Sequence, residues 1–297
     1  MEKNHFGRPK WVFLKPLSEN EIVARKQNSE GNFTSACRNL LLRNVMTTIE
    51  RTLCPSIIQN LKECCGPTVG FRGFDIKEAP DGTIAFINRN KNLIWSEAPI
   101  EDPQETLSYL NLRNQTYWYV DERDTNSAAK LTAADFGSPY AVYEMVLALE
   151  NYVPVQQNPA IEIQLVNNET ELHAWSRTAT GSNLAGYPLL DDFVTALYYK
   201  DPKKYLFITG NIGGKAVSAA MLMFGNSSAG LYFVNTLEDA RKQGAATAVS
   251  SFAIKKAFSF NYKYIILSST QMAFSLYKNL GFSISRTFFE YSRKMLF

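Results

Sequence analysis

The chain has 297 residues, a length typical of two domains, and 45% of them are hydrophobic, which is enough to build packed cores. The formal net charge is only +3, with acidic and basic residues interspersed, so neither nucleic acid nor a membrane is expected as a partner. No stretch approaches the ~18 apolar residues of a membrane span, and the N-terminus lacks the apolar segment of a signal peptide. The four cysteines lack the spacing of a zinc site, so we expect reduced thiols, no metal and a cytoplasmic location.

The first half of the chain mixes helical and strand patterns. Apolar residues recur at helical spacing over Leu42–Ile49, and the pattern resumes after Pro55. Further along, the patterns predict a hairpin over Thr83–Ser96, a helix over Thr106–Leu112 and a strand over Thr116–Val120. The polar segment Asp121–Asp135 predicts a loop, whereas the apolar segment Ala141–Leu149 fits either a helix or a strand. The first half is therefore expected to be an α+β domain.

A segment rich in prolines and amides, Asn151–Ala160, is typical of a linker. We place the domain boundary there, which gives an N-terminal domain of residues 1–155 and a C-terminal domain of residues 156–297. After the linker, the hydrophobic periodicity predicts the order β-α-α-β-β-β-α-β-α-β. This order predicts a mixed, mostly antiparallel sheet with helices on both faces, which is an α/β fold of the α+β type.

The most distinctive segment follows the predicted strand Leu231–Thr236. A loop that ends in small residues, Arg241–Ala246, leads into a helix whose apolar residues begin at Ala245. Small residues at a helix start let unpaired N–H groups approach a ligand, and the helix dipole favours negative charge there. We therefore predict a diphosphate site. The site is not a P-loop, because Gly213-Gly214-Lys215 lacks the flanking residues and predicts a hairpin turn, and a dinucleotide fingerprint needs three glycines.

A second motif lies downstream of this loop. The apolar run Tyr264–Thr270 predicts a buried strand, Ala273–Leu280 has helical spacing, and Gly281 stands where a helix C-cap glycine belongs. The motifs Arg-x-x-Gly-x-Ala and Tyr-x-x-x-Gly-Phe thus follow one another on a strand-helix-strand-helix unit. In order and spacing they resemble the GNAT N-acetyltransferase superfamily, and the resemblance extends from near Pro159 to the C-terminus.

The resemblance implies that the C-terminal domain binds acetyl-CoA as a co-substrate. Amides from Lys242 to Thr247 would hold the diphosphate, with Arg241 and Lys242 as charge partners. The pantetheine arm would lie beside the strand ending at Val234–Thr236, which would have to splay from Tyr264–Ser269. An N–H near Val234 would polarise the thioester carbonyl. The residues expected to bind acetyl-CoA are Val234, Asn235, Thr236, Arg241, Lys242, Gln243, Gly244, Ala245, Ala246, Thr247 and Ser269.

Tyr277 matches the family tyrosine that protonates the departing thiolate. A phenol with a pKa near ~10 stays protonated at neutral pH and can donate to a thiolate whose conjugate acid has a pKa of ~8.5. Helical spacing alone would make Tyr277 a core residue beside Leu276 and Leu280. The resemblance favours the catalytic role.

The sequence assigns no general base. Asp191 and Asp192 could attract a cationic amine, although acids are also favoured at a helix start. The side chains considered as a base are Glu162, His173, Glu238, Asp239 and Glu290.

The chain also departs from the family pattern. Lys242 and Gln243 replace the usual glycine-rich pair, and Glu238 stands where proline is frequent. The first half contains neither motif, so it is either a degenerate GNAT-like domain without a coenzyme A site or an unrelated α+β domain.

The function implied by the resemblance is an acetyl-CoA-dependent N-acetyltransferase that acts on a primary amine of a small molecule or a protein. The alternative is a non-catalytic acyl-CoA-binding or protein-interaction module, which the missing base and the degenerate first half suggest. Neither the amine nor the oligomeric state is indicated by the sequence.

Overall fold

The structure of the chain is a computed structural model that describes residues 56–66, 69, 74–87, 91–112, 114–181 and 187–293. The helical pattern predicted over Leu42–Ile49 lies outside these residues. Within them, Cys64 and Cys65 are buried. No helix in this part of the chain combines the length and the hydropathy needed to cross a membrane.

In the first half, the described part contains three α-helices and five strands. In chain order these are α1 (Ile57–Cys65), β1 (Asp75–Glu78), β2 (Ile84–Ile87), β3 (Lys91–Ser96), α2 (Pro103–Leu110), β4 (Gln115–Asp121), α3 (Thr125–Ala133) and β5 (Tyr140–Ala148).

Helix α3 shows that the loop predicted over Asp121–Asp135 is wrong. Asp124 caps this helix by accepting a 3.0 Å hydrogen bond from the Ser127 amide. Only Ser127 and Leu131 of α3 are buried, so its apolar stripe is too short to produce a helical period in the sequence.

Strand β5 settles the ambiguous segment Ala141–Leu149, which forms a strand. Four consecutive residues from Glu144 to Leu147 are buried, because both faces of β5 are covered. Such a strand shows no alternation of apolar and polar residues, and its sequence therefore resembles that of a buried helix.

The second half has the predicted order of elements. They are β6 (Glu162–Leu165), α4 (Glu169–Thr180), α5 (Tyr187–Lys200), β7 (Tyr205–Ile212), β8 (Lys215–Phe224), β9 (Ala229–Thr236), α6 (Ala245–Ser259), β10 (Tyr264–Thr270), α7 (Phe274–Asn279) and β11 (Ser283–Arg293). The hairpin turn predicted at Gly213-Gly214 is confirmed, since both glycines have positive φ, 56° and 76°, between β7 and β8.

The eleven described strands form one sheet with the order β1-β2-β3-β4-β11-β5-β10-β9-β8-β7-β6. Of the ten neighbouring pairs, only β3–β4 and β9–β10 are parallel. The predicted mixed, mostly antiparallel sheet is therefore confirmed. The sheet crosses the predicted domain boundary, because β5 of the first half lies between β10 and β11 of the second half.

The two halves repeat one order of elements. In the first half, three antiparallel strands (β1–β3) precede α2, the parallel strand β4, α3 and β5. In the second half, β7–β9 precede α6, the parallel strand β10, α7 and β11 in the same way. The last strands are exchanged, since β5 pairs with β10 and β11 pairs with β4. This repeat favours the GNAT-like interpretation of the first half over an unrelated domain.

Helices cover both faces of the sheet. On one face, here called the first face, α1, α4 and α5 pack around Ile57, Trp175 and Val194. On the opposite or second face, α6 and α7 pack around Val249 and Tyr277.

Candidate functional site

Strands β9 and β10 are parallel neighbours that separate soon after they begin. They pair only at Ala229↔Ile265 and Gly230↔Ile266. The segments beyond these pairs, Leu231–Thr236 and Leu267–Thr270, have no ladder between them, and we call the opening the gap. Strand β10 is held on its other edge by β5 along all 7 of its residues. The gap is therefore an opening inside a continuous sheet.

A β-bulge lies on the β9 side of the gap. The ladder between β8 and β9 shifts its register there, so Phe233 and Val234 both oppose Ala220. Phe233 has a φ of 52°, a left-handed conformation that is rare for a bulky residue. A bulge leaves one residue outside the ladder, and in this chain that residue borders the gap.

Trp175 of α4 holds the β8 side of the bulge. Its buried indole donates hydrogen bonds to the carbonyls of Ala220 and Ile208, at 3.0 Å and 3.1 Å. Its ring also packs edge-on against Phe233, with 6.2 Å between the centroids. No sequence signal marks this role, because spacing does not reveal which carbonyl a buried indole meets.

The loop after β9 leads directly into an uncapped helix start. Lys242 and Gly244 have left-handed φ values of 62° and 86°, and no side chain in the described part of the chain caps α6. Residues 241–244 are exposed, whereas Ala245 is buried against the sheet. The first amides of α6 and the positive end of its dipole are therefore presented at the surface, as an anion site requires.

Contacts from neighbouring segments fix the shape of this loop. Asn158, in the linker, donates a 3.1 Å hydrogen bond to the Gln243 carbonyl. The Arg241 guanidinium lies 3.8 Å from the Glu238 carboxylate and donates to the Thr236 carbonyl at 3.4 Å. The Arg241–Glu238 pair is exposed, and such pairs contribute little free energy, so the guanidinium is free to turn towards an anion.

The remaining predicted binding residues line the two edges of the gap, and their side chains are engaged inside the protein. The Asn235 amide donates a 2.7 Å hydrogen bond to the Thr178 carbonyl at the end of α4. The Thr236 hydroxyl is 2.9 Å from that of Ser218. Ser269 is buried, and its hydroxyl donates to the next carbonyl at 2.9 Å. These residues would therefore contact a ligand through their main-chain groups.

Tyr277 lies on α7, which packs against β10 on the second face. Its side chain is 4% exposed and packs edge-on against Phe282, with 5.8 Å between the ring centroids. Burial raises the pKa of the Tyr277 phenol above its ordinary value, so the hydroxyl stays protonated at neutral pH. Tyr277 is thus a core residue, as helical spacing alone predicts, and one that retains its proton.

The side chains considered as a base have other partners or are exposed. His173 and Asp191 lie 2.8 Å apart between α4 and α5. Helix α5 begins at Tyr187, so Asp191 lies beyond its first turn, and the helix-start role that the sequence suggested for Asp191 is wrong. Glu290 accepts a 2.6 Å hydrogen bond from the Tyr119 hydroxyl. The remaining three carboxylates are exposed: Glu162 on the edge strand β6, Glu238 beside Arg241 and Asp239 beside Lys215.

The corresponding position in the first half is closed. Strands β3 and β4 stay paired from Lys91↔Gln115 to Ser96↔Val120, so no gap opens between them. The Asp102 carboxylate accepts hydrogen bonds from the first amides of α2, and Pro103 contributes no N–H. A capped helix start with a negative charge is unsuited to a diphosphate.

Comparison with known proteins identifies a family for part of the chain. Residues 170–282 match the model of the Acetyltransferase (GNAT) family. This part of the chain is therefore a domain of the GNAT superfamily. No curated protein matches the chain.

Several solved structures share the fold. A GCN5-related N-acetyltransferase from Kribbella flavida has a TM-score of 0.58 and 13% identity, over 79% of this chain and 95% of that one. One from Sphaerobacter thermophilus has a TM-score of 0.55 and 14% identity, over 80% and 91%. A tandem GNAT protein from the clavulanic acid biosynthesis pathway has a TM-score of 0.52 and 10% identity, over 72% and 78%. At such identities the likeness extends to the fold alone.

Proposed function

We propose that the chain is an acetyl-CoA-dependent N-acetyltransferase that acetylates a primary amine. The observation that carries the proposal is the combination of the gap and an uncapped helix start on one strand–loop–helix unit. An extended chain with amide groups can pair with an open strand edge, and a diphosphate is an anion that a helix start binds. Acyl-coenzyme A has both features, because its extended pantetheine arm carries amide groups and is joined to a diphosphate.

Two groups on opposite sides of the thioester would carry the chemistry. The Val234 amide, which lies in the bulge beside the gap, would stabilise negative charge on the carbonyl oxygen. Tyr277 would donate its hydroxyl proton to the thiolate as the C–S bond breaks. The amine nitrogen would form the new C–N bond, and the products would be the acetamide and coenzyme A.

The proposed function is tested by thiol release from acetyl-CoA with a panel of primary amines. The panel contains propylamine, benzylamine, glucosamine, spermidine and a lysine peptide, and coenzyme A binding is followed in parallel by thermal shift. Thiol release with one of these amines, matched by the acetylated product, would support the transferase. A thermal shift without any acetylation would indicate the non-catalytic binding module, and no shift would contradict both functions.

The helix start gives a prediction in which stability and binding change in opposite directions. Replacing Ala246 with Glu places a carboxylate in the first turn of α6, where acids stabilise a helix by about 0.3–1 kcal/mol. The same carboxylate would compete with the diphosphate for the amides and repel it. We expect the melting temperature to hold or rise, while the Kd for coenzyme A, measured by calorimetry, increases by more than about tenfold.

Ala246→Gln is the matched control, because it adds a side chain of similar size without the charge. Its effect on the Kd should be clearly smaller than that of Ala246→Glu. Equal affinity of Ala246→Glu and the wild type would place the diphosphate elsewhere.

Replacing Asn158 with Ala is expected to weaken acetyl-CoA binding by a smaller factor and to leave the chemical step unchanged. Its hydrogen bond to the Gln243 carbonyl fixes the loop from outside, so Asn158→Ala should loosen the loop without touching the reacting atoms. We expect the KM for acetyl-CoA to rise roughly two- to tenfold, as for the loss of a hydrogen bond of about 0.5–1.5 kcal/mol, with kcat unchanged. Asn167→Ala is the control, since Asn167 donates to the Leu165 carbonyl instead, and it should leave both constants unchanged.

A further inference from the structure

Glu144 is a buried carboxylate of β5 that the chemistry above does not use. Its side chain is 1% exposed, and Oε1 accepts a 3.1 Å hydrogen bond from the Ser285 hydroxyl. The other oxygen, Oε2, is buried and has no hydrogen-bond partner within the described ranges. A buried carboxylate oxygen without a partner is costly, and native structures keep few of them without a functional reason.

Glu144 lies beside the gap. It stands directly opposite Ser268 of β10, and such antiparallel partners share a face, with Cβ atoms about 4.5–5.5 Å apart. Ser268 and Thr270 are exposed although β10 is an interior strand, because β9 has left β10 at this level. A molecule that reaches Ser268 through the gap is therefore within about one water molecule of Glu144.

Glu144 and Tyr277 lie on opposite faces of the sheet. The ring of Tyr143 packs against Phe274 of α7 at 5.1 Å, which places Tyr143 on the second face. Side chains alternate along a strand, so Glu144 is on the first face together with Val146, which belongs to the core on that face. The gap thus has a phenol on one side of the sheet and a carboxylate on the other.

Several elements supply the groups that face Glu144. Burial is the largest influence and raises the pKa of Glu144 above its ordinary value, and the Glu97 charge acts in the same direction. Arg286 of β11, opposite Glu144 and ion-paired with Glu97 at 3.0 Å, favours the ionised form, as does the Ile57 amide of α1. On β9, burial raises the pKa of Tyr232, and the Glu144 charge adds to this effect. Glu144 therefore interacts electrostatically with Arg286 of β11 and with Tyr232 of β9, the strand that forms one edge of the gap.

We propose that Glu144 is the base that takes the proton from the acceptor amine, directly or through one water molecule. This role rests on the proposed acetyl transfer. The ammonium group gives one proton to Oε2, and the neutral nitrogen attacks the thioester carbon to form the C–N bond. The C–S bond then breaks, and the thiolate takes the Tyr277 proton. The second amine proton restores Tyr277, and Glu144 releases its proton to solvent, so each turnover liberates one proton.

Glu144→Gln in the full-length chain tests this role, with the panel amine that the wild type acetylates fastest as the probe. We expect kcat/KM for the amine to fall about a hundredfold or more near neutral pH, with the Kd for coenzyme A unchanged. The wild-type rate should fall as the pH drops through the raised pKa of Glu144. The rate of the variant should instead climb with pH as the amine loses its own proton, so that the two rates converge at high pH.

Stability separates this role from a purely structural one. Because the folded-state pKa of Glu144 is raised, its ionised form destabilises the chain above that pKa, and this cost disappears as the pH falls through it. Glu144→Gln removes the charge, so its melting temperature at neutral pH should be unchanged or higher. Glu150→Gln, which removes an exposed carboxylate beyond the end of β5, should behave as the wild type.

Three results would overturn the role of Glu144. Wild-type kcat/KM and pH dependence in Glu144→Gln would remove Glu144 from the reaction and leave the transferase standing. A lower melting temperature with an unchanged pH profile would make Glu144 an anchor for α1. A wild-type chain that binds coenzyme A but acetylates none of the amines would end both proposals.

Discussion

A chain shortened to residues 156–297, the C-terminal domain delimited from the sequence, is expected not to fold by itself. The cut removes β5, so β10 would keep only its two backbone pairs with β9. Strand β11 would lose both of its neighbours, β4 and β5. The domain boundary at residue 155 stays a prediction. The pairing of strands across the sheet gives no reason to expect that either residues 1–155 or residues 156–297 would be stable alone.

The energetic loss from this cut is large compared with the stability of a domain. Met145, Val146 and Leu147 are buried between the layers, and burying each such side chain contributes about 1.5–3 kcal/mol. Domains unfold at a cost of only about 5–15 kcal/mol, so losing β5 and its ladders removes most of that margin. Circular dichroism should show no cooperative thermal transition for residues 156–297, and the exposed strand edges should promote aggregation.

Supplying residues 1–155 by co-expression is the matched control. The two pieces should copurify and recover both a cooperative transition and a thermal shift with coenzyme A. If residues 156–297 alone melt cooperatively and bind coenzyme A, the exchange of β5 and β11 is not essential to the fold.

Replacing Tyr277 with Phe is expected to lower kcat by about a hundredfold or more while leaving coenzyme A binding intact. The change removes only the hydroxyl, so the packing against Phe282 is kept. A thiolate that leaves without a donor is a poorer leaving group, and general acids typically supply about 10²–10⁴-fold. Steady-state thiol release gives kcat, and calorimetry gives the Kd for coenzyme A.

Tyr152→Phe controls for the loss of a buried hydroxyl in the same core. The Tyr152 hydroxyl is buried, and its ring packs against the same cluster. This variant should keep the wild-type kcat. An unchanged kcat in Tyr277→Phe would make Tyr277 a core residue and nothing more.

The second half could be predicted from the sequence because its signals are local. Apolar periodicity gave all ten elements in order, and the small residues near Gly244 and the turn at Gly281 placed the helix ends. These features depend on neighbours within a few positions along the chain. Helix α3 was missed because only Ser127 and Leu131 of its residues are buried, which is too short a stripe to produce a helical period.

The exchange of strands could not be predicted, because it depends on contacts between distant segments. Strand β5 pairs with residues more than a hundred positions away, and nothing in its apolar run specifies β10 as a partner. Glu144 was missed for this reason, since its place beside the gap follows from the register with Ser268. The bulge at Phe233 was likewise hidden, because a left-handed phenylalanine leaves no trace in residue type.

The most direct test is a crystal structure of the full-length chain with coenzyme A bound. The diphosphate should lie within hydrogen-bonding distance of the amides of residues 244–247, with the pantetheine arm in the gap between β9 and β10. Coenzyme A bound at another surface, or a gap closed by protein side chains in that crystal, would contradict the proposed site and the acetyl transfer built on it.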